Sequence, residues 1–364
     1  MKYIIPITEL RNTVKLDKFV NKVNEPVFIT KNGYSDLVIM SHEYYLSHIK
    51  EMAYFTSDTK TKSINLKQKA LEDVYGYARV KTTSINIEIS NVEHNKDEII
   101  KEINIAKDEG VNVLIFQELT LVGVSIGDII FNNDLIKKCY NALEKIARAS
   151  KNLNMLIIVG APTKKDGGLY NSAIHIFNGE IIAVVPKKNI TSENARYFLE
   201  APNENSTILI NDKDVIFGNK IIFVSNYYDD LKIATEINDD INLIYAPSIR
   251  YAEMGATLIA NLGATPELVG SKEFKESLVK VNSLKLSASY AMSNANYTES
   301  SGEVVYSGHQ LIAETGHILD ICNPFDDKKS SIADIDIEKS SKLELNQKII
   351  EVFIMKDLFM LVLI

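Results

Sequence analysis

A glutamate closes one of the apolar runs of this chain. Val111 to Gly123 reads VNVLIFQELTLVG, and the run ends abruptly at Gln117 and Glu118. A run that short and that apolar is the pattern of a strand buried on both faces. Glu118 then stands at the carboxyl end of a core strand, where open α/β sheets place their chemistry. A carboxylate there can exchange protons with a reacting group; it reads equally as the cap of the following turn. Lys187 comes directly after Pro186, behind the apolar segment Glu180 to Val185, and taken alone reads as a solvated surface lysine. The chain has two thiols, Cys139 and Cys322. Cys139 recurs with Leu135, Ile136, Leu143 and Ile146 at helical spacing, the pattern of a core residue. Two cysteines imply no disulfide framework, and a reducing, cytoplasmic setting is expected. Neither GxGxxG nor GxxxxGK[ST] occurs, so no nucleotide site is indicated and no cofactor or metal is expected.

The elements that must hold these residues are legible around them. Arg79 to Ile89 alternates as a strand. Asp97 to Asp108 carries Ile99, Ile100, Ile103 and Ala106 at helical spacing, with Gly110 as a stop. Leu135 to Ala149 is a second amphipathic helix and Met155 to Val159 a second buried strand. Tyr170 to Phe177 and Glu180 to Val185 form a hairpin around Asn178-Gly179. Strand, helix, strand, helix and then paired strands describe a layered α/β sandwich rather than a Rossmann repeat.

The bulk numbers are those of a globular protein: 364 residues, 46% hydrophobic, 24% charged, formal net charge -8. The length accommodates one large domain and a small one. The acidic balance argues against nucleic-acid binding by the chain as a whole, although a local basic patch can sit beneath it. No apolar run approaches the roughly 18 residues of a membrane span, and the apolar patch in MKYIIPITEL is too short for a signal peptide, so no membrane association is expected.

The first fifty residues form a separate pattern. Met1 to Ile5 is a short strand broken by Pro6, and Leu16, Phe19, Val20 and Val23 recur at helical spacing up to Pro26. Val27 to Thr30 and Leu37 to Met40 read as a hairpin across Lys31-Asn32-Gly33, and Ser41-His42-Glu43 starts another helix. PVFITKNGYSDLVIMSHEYY after MKYIIPITELRN resembles the DNA-binding half of Phd/YefM-type antitoxins over residues 1–46. That resemblance implies a small α+β module that pairs with a second copy and has operator DNA or a toxin as partner. Lysines and Arg11 modestly outnumber the acids here, which permits phosphate contacts without demanding them; a dimerisation module with no DNA target is the other reading. Residues 1–50 are thus expected to be the module, and the polar, Lys-rich 51–74 a linker.

Three further segments share one resemblance. FQELTLVGVSIGDIIF (116–131), GLYNSAIHIFNGEIIAVVPKKNI (168–190) and the stretch from NLGATPELVG to ETGHIL (261–319) are similar, in order and spacing, to the nitrilase-type glutaminase domain of glutamine-dependent NAD synthetases, a branch of the carbon–nitrogen hydrolases. The resemblance implies a nitrilase-like αββα sandwich over 75–336 that pairs into a homo-oligomer. Such a domain hydrolyses a carboxamide through a thioester, with a thiolate nucleophile, a carboxylate base and a lysine that stabilises the oxyanion. By resemblance, Glu118 is the base and Lys187 the oxyanion partner. The family writes its nucleophile segment Glu-Ile-Cys-Glu-Asp; this chain has Glu236-Ile237-Asn238-Asp239-Asp240. Asn238 stands at the nucleophile position, and a carboxamide nitrogen is a poor nucleophile. Thr235, on the far side of Glu236, points elsewhere on a strand. Asn261-Leu262-Gly263-Ala264-Thr265 lacks the first serine of the family's Asn-Leu-Ser-Ala-Ser. The loop from Lys187 to Arg196 is short, and Glu193 matches its usual second acid only loosely.

The expectation is therefore a glutaminase-like domain without turnover, retaining a small carboxamide such as glutamine as ligand. A DNA-binding autoregulator and an amidase of altered chemistry are the alternatives. No SGG loop occurs, so no NAD synthesis by these residues is expected. The tail 337–364, with KIIEVFIMKDLFMLVLI, reads as a helix packed on a partner or as an out-of-frame remnant, and would be an aggregation liability if exposed.

Overall fold

The computed structural model describes residues 3–6, 19, 22, 27–31, 34–39, 76–226, 230–301, 303–338 and 360–363. The chain divides into two units, Met1–Asn65 and Leu66–Ile364. In the first, β1 (Tyr3–Pro6) runs parallel to β2 (Val27–Lys31), which is antiparallel to β3 (Tyr34–Ile39). The Asn32-Gly33 pair expected as the turn between the last two strands lies outside the described residues. Pro6 does not break β1 but pairs opposite Thr30, which an edge strand tolerates. Phe19 and Lys22 are helical; the rest of that expected helix, the helix from Ser41 and the linker 51–74 lie outside the described residues.

The second unit is built on two sheets. The first contains β4 (Tyr77–Thr83), β5 (Val113–Ile115), β6 (Leu156–Lys165), β7 (Gly168–Phe177), β8 (Glu180–Pro186), β9 (Ser206–Ile210), β10 (Lys213–Phe217) and β17 (Ser330–Asp336), in the order β17-β4-β5-β6-β7-β8-β10-β9. The second contains β11 (Ile221–Val224), β12 (Lys232–Ile237), β13 (Leu258–Gly263), β14 (Ser289–Asn294), β15 (Gln310–Glu314), β16 (His317–Cys322) and β18 (Met360–Leu363), in the order β16-β15-β14-β13-β12-β11-β18. Val80, Val113, Ile115 and Ile158 of the first sheet pack against Phe223, Ile233, Leu258 and Leu262 of the second. Leu114, Phe116, Ile157 and Val159, on the other face of the first sheet, meet Ile99 and Ile103 of α1 (Val92–Asp108) and Cys139 and Leu143 of α2 (Asn133–Ala149). The outer face of the second sheet is covered by α3 (Pro247–Glu253) and α4 (Ser271–Lys285), through Tyr251 and Val279. The layers run helix, sheet, sheet, helix, a nitrilase-like αββα sandwich. With both faces of β5 covered, every side chain of the strand is apolar.

Local chemistry sets the element ends. Asn91 caps α1, its side chain accepting from the amide of His94 (3.3 Å), so the helix starts before the expected Asp97; Val92 is the one apolar residue of that added turn. Asn178 and Gly179 both have positive φ (47° and 90°), as a tight hairpin demands. β4 stops at Thr83 rather than Ile89. Ile85 and Ile87 are buried as alternation suggests, but their amides turn to side chains, Ile85 to Gln117 Oε1 (3.4 Å) and Ile87 to Thr298 Oγ1 (3.0 Å). Of the two readings of the tail, a helix packed on a partner does not describe its end: Met360–Leu363 pairs parallel with Ile221–Val224. α4 buries Lys275 and Ser283 beside Val279, while Phe274, Val281 and Leu284 face outward. No described helix is long and apolar enough to cross a membrane.

Because consecutive residues of β5 fill different hydrophobic layers, Leu114→Ala and Ile115→Ala should each cost about 2–5 kcal/mol. Urea unfolding measures both; a near-neutral effect of either would show that one face of the strand is open.

Candidate active site

The site lies where the carboxyl ends of β5, β8, β12 and β13 converge. Beyond β5 the chain crosses the middle of β6 at close quarters, and Gly160 permits it. A Cβ on Gly160 would lie 2.4 Å from the amide nitrogen of Leu119 and 2.5 Å from the carbonyl oxygen of Gln117. Leu119 takes a positive φ of 49° in the turn. The Glu118 amide donates to the Gly263 carbonyl (3.3 Å), linking the ends of the two sheets. Gly263 itself stands where the resemblance has a serine, and a Cβ there would lie 2.5 Å from the Ser293 carbonyl oxygen, so β14 has closed on β13 too tightly for a side chain.

Lys187 is placed by backbone. Its amide donates to the Asn171 carbonyl (2.8 Å), and its carbonyl accepts from Ala201 (2.9 Å). Its ammonium donates to Glu118 Oε1 (2.9 Å) and pairs with Asp239 Oδ1 (2.5 Å). Asn171 also donates to Glu118 Oε1 (2.5 Å). The base and ammonium expected from the sequence are therefore in contact, both buried.

Asn238 follows β12 with a positive φ of 47°, a conformation for which asparagine is one of the better-suited residues. Its carboxamide oxygen accepts from the Ala264 amide (3.1 Å) and the Thr265 hydroxyl (2.9 Å), and its Nδ2 reaches Asp239 Oδ1 (3.3 Å). The residue of this turn that reaches Lys187 is thus Asp239, to which the sequence assigns no role. Asp240 lies beneath the turn and accepts from the amides of Ile237 (3.0 Å) and Asn189 (2.5 Å). Thr235 points away, to His175 Nε2 (2.8 Å). Glu193 is exposed. Cys139 lies in the α2 layer and Cys322 ends the edge strand β16, so neither supplies a thiol here.

Burial sets the electrostatics. Desolvation alone would lower the pKa of Lys187, but the carboxylates of Glu118 and Asp239 outweigh it and hold the group above its ordinary value. Burial raises Glu118 above the carboxylate range, with Lys187 and Asn171 pulling back. Two further groups escaped the sequence reading. Glu299 is fully buried, accepts from the Val124 amide (2.6 Å), and is pushed by burial up to about 8. Tyr306 is raised by burial and then by Glu118 and Glu299. Glu299 and Tyr306 come from the segment after β14, and only the tertiary fold brings them near Glu118. The assembly can pass a proton between a carboxylate and an amine and can donate hydrogen bonds. It offers no thiolate.

Comparison with known proteins agrees with this architecture. The family model described as carbon-nitrogen hydrolase matches residues 81–343, and the chain belongs to that family. Within it, the similarity runs to the glutaminase region of glutamine-dependent NAD(+) synthetases. The synthetase of Mycobacterium tuberculosis (strain H37Rv) is 28% identical over 278 residues, covering 74% of this chain and 41% of that protein. The synthetase of Thermotoga maritima is 24% identical over 273 residues, covering 73% of this chain and 43% of that protein. The chain thus spans less than half the length of these curated relatives. Among solved structures, a glutamine-dependent NAD(+) synthetase from Cytophaga hutchinsonii superimposes with a TM-score of 0.63 at 23% identity, covering 72% of this chain and 43% of that one. An amidase from Nesterenkonia sp. gives 0.58 at 15% identity, covering 75% and 97%.

Glu299 supplies a test of the site's electrostatics. Its folded pKa of about 8 lies above its ordinary value of 4.5, so the folded protein holds this proton more tightly than the unfolded chain does. The resulting stability is fully present below the unfolded value and is lost as pH rises through the folded one. Wild-type stability should therefore decline between pH 4.5 and 8 relative to Glu299→Gln. Urea unfolding across that window checks this; parallel profiles would contradict it.

Proposed function

We propose that residues 76–338 form a catalytically silent carbon–nitrogen hydrolase domain, glutaminase-like in descent, whose former reaction centre is closed by its own side chains. The observation that carries this reading is the pairing at the nucleophile turn. Asn238 occupies the expected cysteine position with its carboxamide turned to Thr265, and Asp239 occupies the lysine that would meet a developing oxyanion. A carboxamide nitrogen is delocalised and does not attack, and an ammonium already bound to two carboxylates has little left for a substrate oxygen. The likeness to glutamine-dependent NAD(+) synthetases makes glutamine the amide to test. A coupled assay should find no ammonia above the buffer rate at high protein concentration. Turnover that disappears in Glu118→Gln would overturn silence and favour altered amidase chemistry. Asn238→Cys measures what survives of the pocket, since a thioester captured on the new thiol would need base and oxyanion partner still in place.

For residues 1–46 we propose a second, separate role, contact with operator DNA. The three-stranded sheet β1-β2-β3, with its antiparallel β2–β3 pair, supports it, together with the small excess of basic residues. Binding to the chain's own upstream DNA should weaken steeply with added salt, because phosphate contacts release counterions. A mobility-shift assay with no salt-sensitive shift would remove this reading.

A further inference from the structure

We propose that Lys187 and Asp239 condense into an intramolecular isopeptide bond, with Glu118 carrying the protons. The inference goes beyond the silent-domain reading. Three features of the site point to it. The first is contact: Lys187 Nζ lies 2.5 Å from Asp239 Oδ1 and 2.9 Å from Glu118 Oε1, so amine, acyl group and proton carrier touch. The second is burial, with side-chain exposures of 1% for Lys187, 5% for Glu118 and 18% for Asp239. In water an amine and a carboxylic acid persist as an ion pair. In a desolvated contact the neutral amine comes within reach by proton transfer along a hydrogen bond that already exists. Burial also raises Glu118, which fits it to hold that proton, although the paired ammonium is the resting form. The third is polarisation of the acyl group. Asn189 Nδ2 donates to Asp239 Oδ2 (3.0 Å) and to the Asp239 carbonyl (3.1 Å), while Asn238 Nδ2 reaches Oδ1 (3.3 Å). Oδ1 therefore faces the amine, and Oδ2 has a donor ready for the charge that develops on attack.

The step balances without any external reagent. The Lys187 ammonium gives a proton to Glu118, and the Nζ lone pair attacks Asp239 Cγ. The carbonyl electron pair moves onto Oδ2, beside Asn189. Glu118 delivers that proton, and then a second one taken from Nζ, to Oδ1. The Cγ–Oδ1 bond breaks, Oδ1 leaves as water, and the returning electron pair restores the carbonyl. The third ammonium proton stays on the new amide nitrogen. Enforced contact replaces a bimolecular collision, which is worth a large effective concentration. The two residues belong to the ends of different sheets, Lys187 after β8 and Asp239 after β12, so the bond would join the layers of the sandwich covalently.

The test is the intact mass of the purified full chain. The expected result is a deficit of one water, accompanied after digestion by a branched peptide joining the segments around Lys187 and Asp239, with no cleavage after Lys187. Lys187→Arg and Glu118→Gln should each restore the full sequence mass. If these variants do not fold, the wild-type mass and peptide map decide without them. A wild-type mass equal to that of the sequence overturns the proposal, as does a water deficit confined to one linear peptide, which marks a cyclic imide. The ammonia assay is independent: a silent protein of full mass removes the bond and leaves the silent-domain reading standing.

Discussion

A lysine ammonium buried this deeply must find its countercharge in the protein, because water is not there to supply it. Leaving one member of a buried pair alone costs about 3–5 kcal/mol. Much of the local geometry follows from meeting that requirement at Lys187. Glu118 reaches it because Gly160 lets the chain pass close over β6, and Asn171 holds the carboxylate from below. Asp239 reaches it because Asn238 accepts a left-handed backbone and turns the following residue inward. Asp240 is the companion constraint, holding that turn through the amides of Ile237 and Asn189.

On the silent-domain proposal, these contacts are how a carbon–nitrogen hydrolase site without an attacking thiol keeps its frame. With asparagine at position 238, the carboxamide oxygen has two good donors in Ala264 and Thr265, and the turn is satisfied without a ligand. Gly263 belongs to the same pattern, since a serine there would press on β14.

What could be read from the chain was whatever depends on near neighbours in sequence. β5 was legible because both its faces are covered, and the β7–β8 hairpin because Asn178-Gly179 fits a single class of turn. Glu118 and Lys187 were legible by resemblance, and their contact is now visible. Alternation misled at Ile85 and Ile87, which are buried yet bond through their amides to side chains instead of a strand. The tail, which reads as a helix on a partner or as an out-of-frame remnant, gave no sign of its pairing, because Met360–Leu363 finds a sheet edge distant in sequence. Asp239, Asn171 and Glu299 could not be assigned because their meaning depends on which strand ends meet in space.

The bonds between the two sheets have a consequence for how the sandwich comes apart. Glu118 donates its amide to Gly263, Ser293 donates its hydroxyl to the carbonyl of Thr83 (2.8 Å), Asn296 donates to that of Ile85 (2.9 Å), and His175 meets Thr235 deeper in. Each joins a residue of one layer to a residue of the other, and each would be stranded without water if the layers parted slightly. A small separation therefore costs several unsatisfied polar groups at once and recovers little until solvent floods the whole gap. Peeling one sheet from the other is uphill from its first ångström, which makes the sandwich a single cooperative unit.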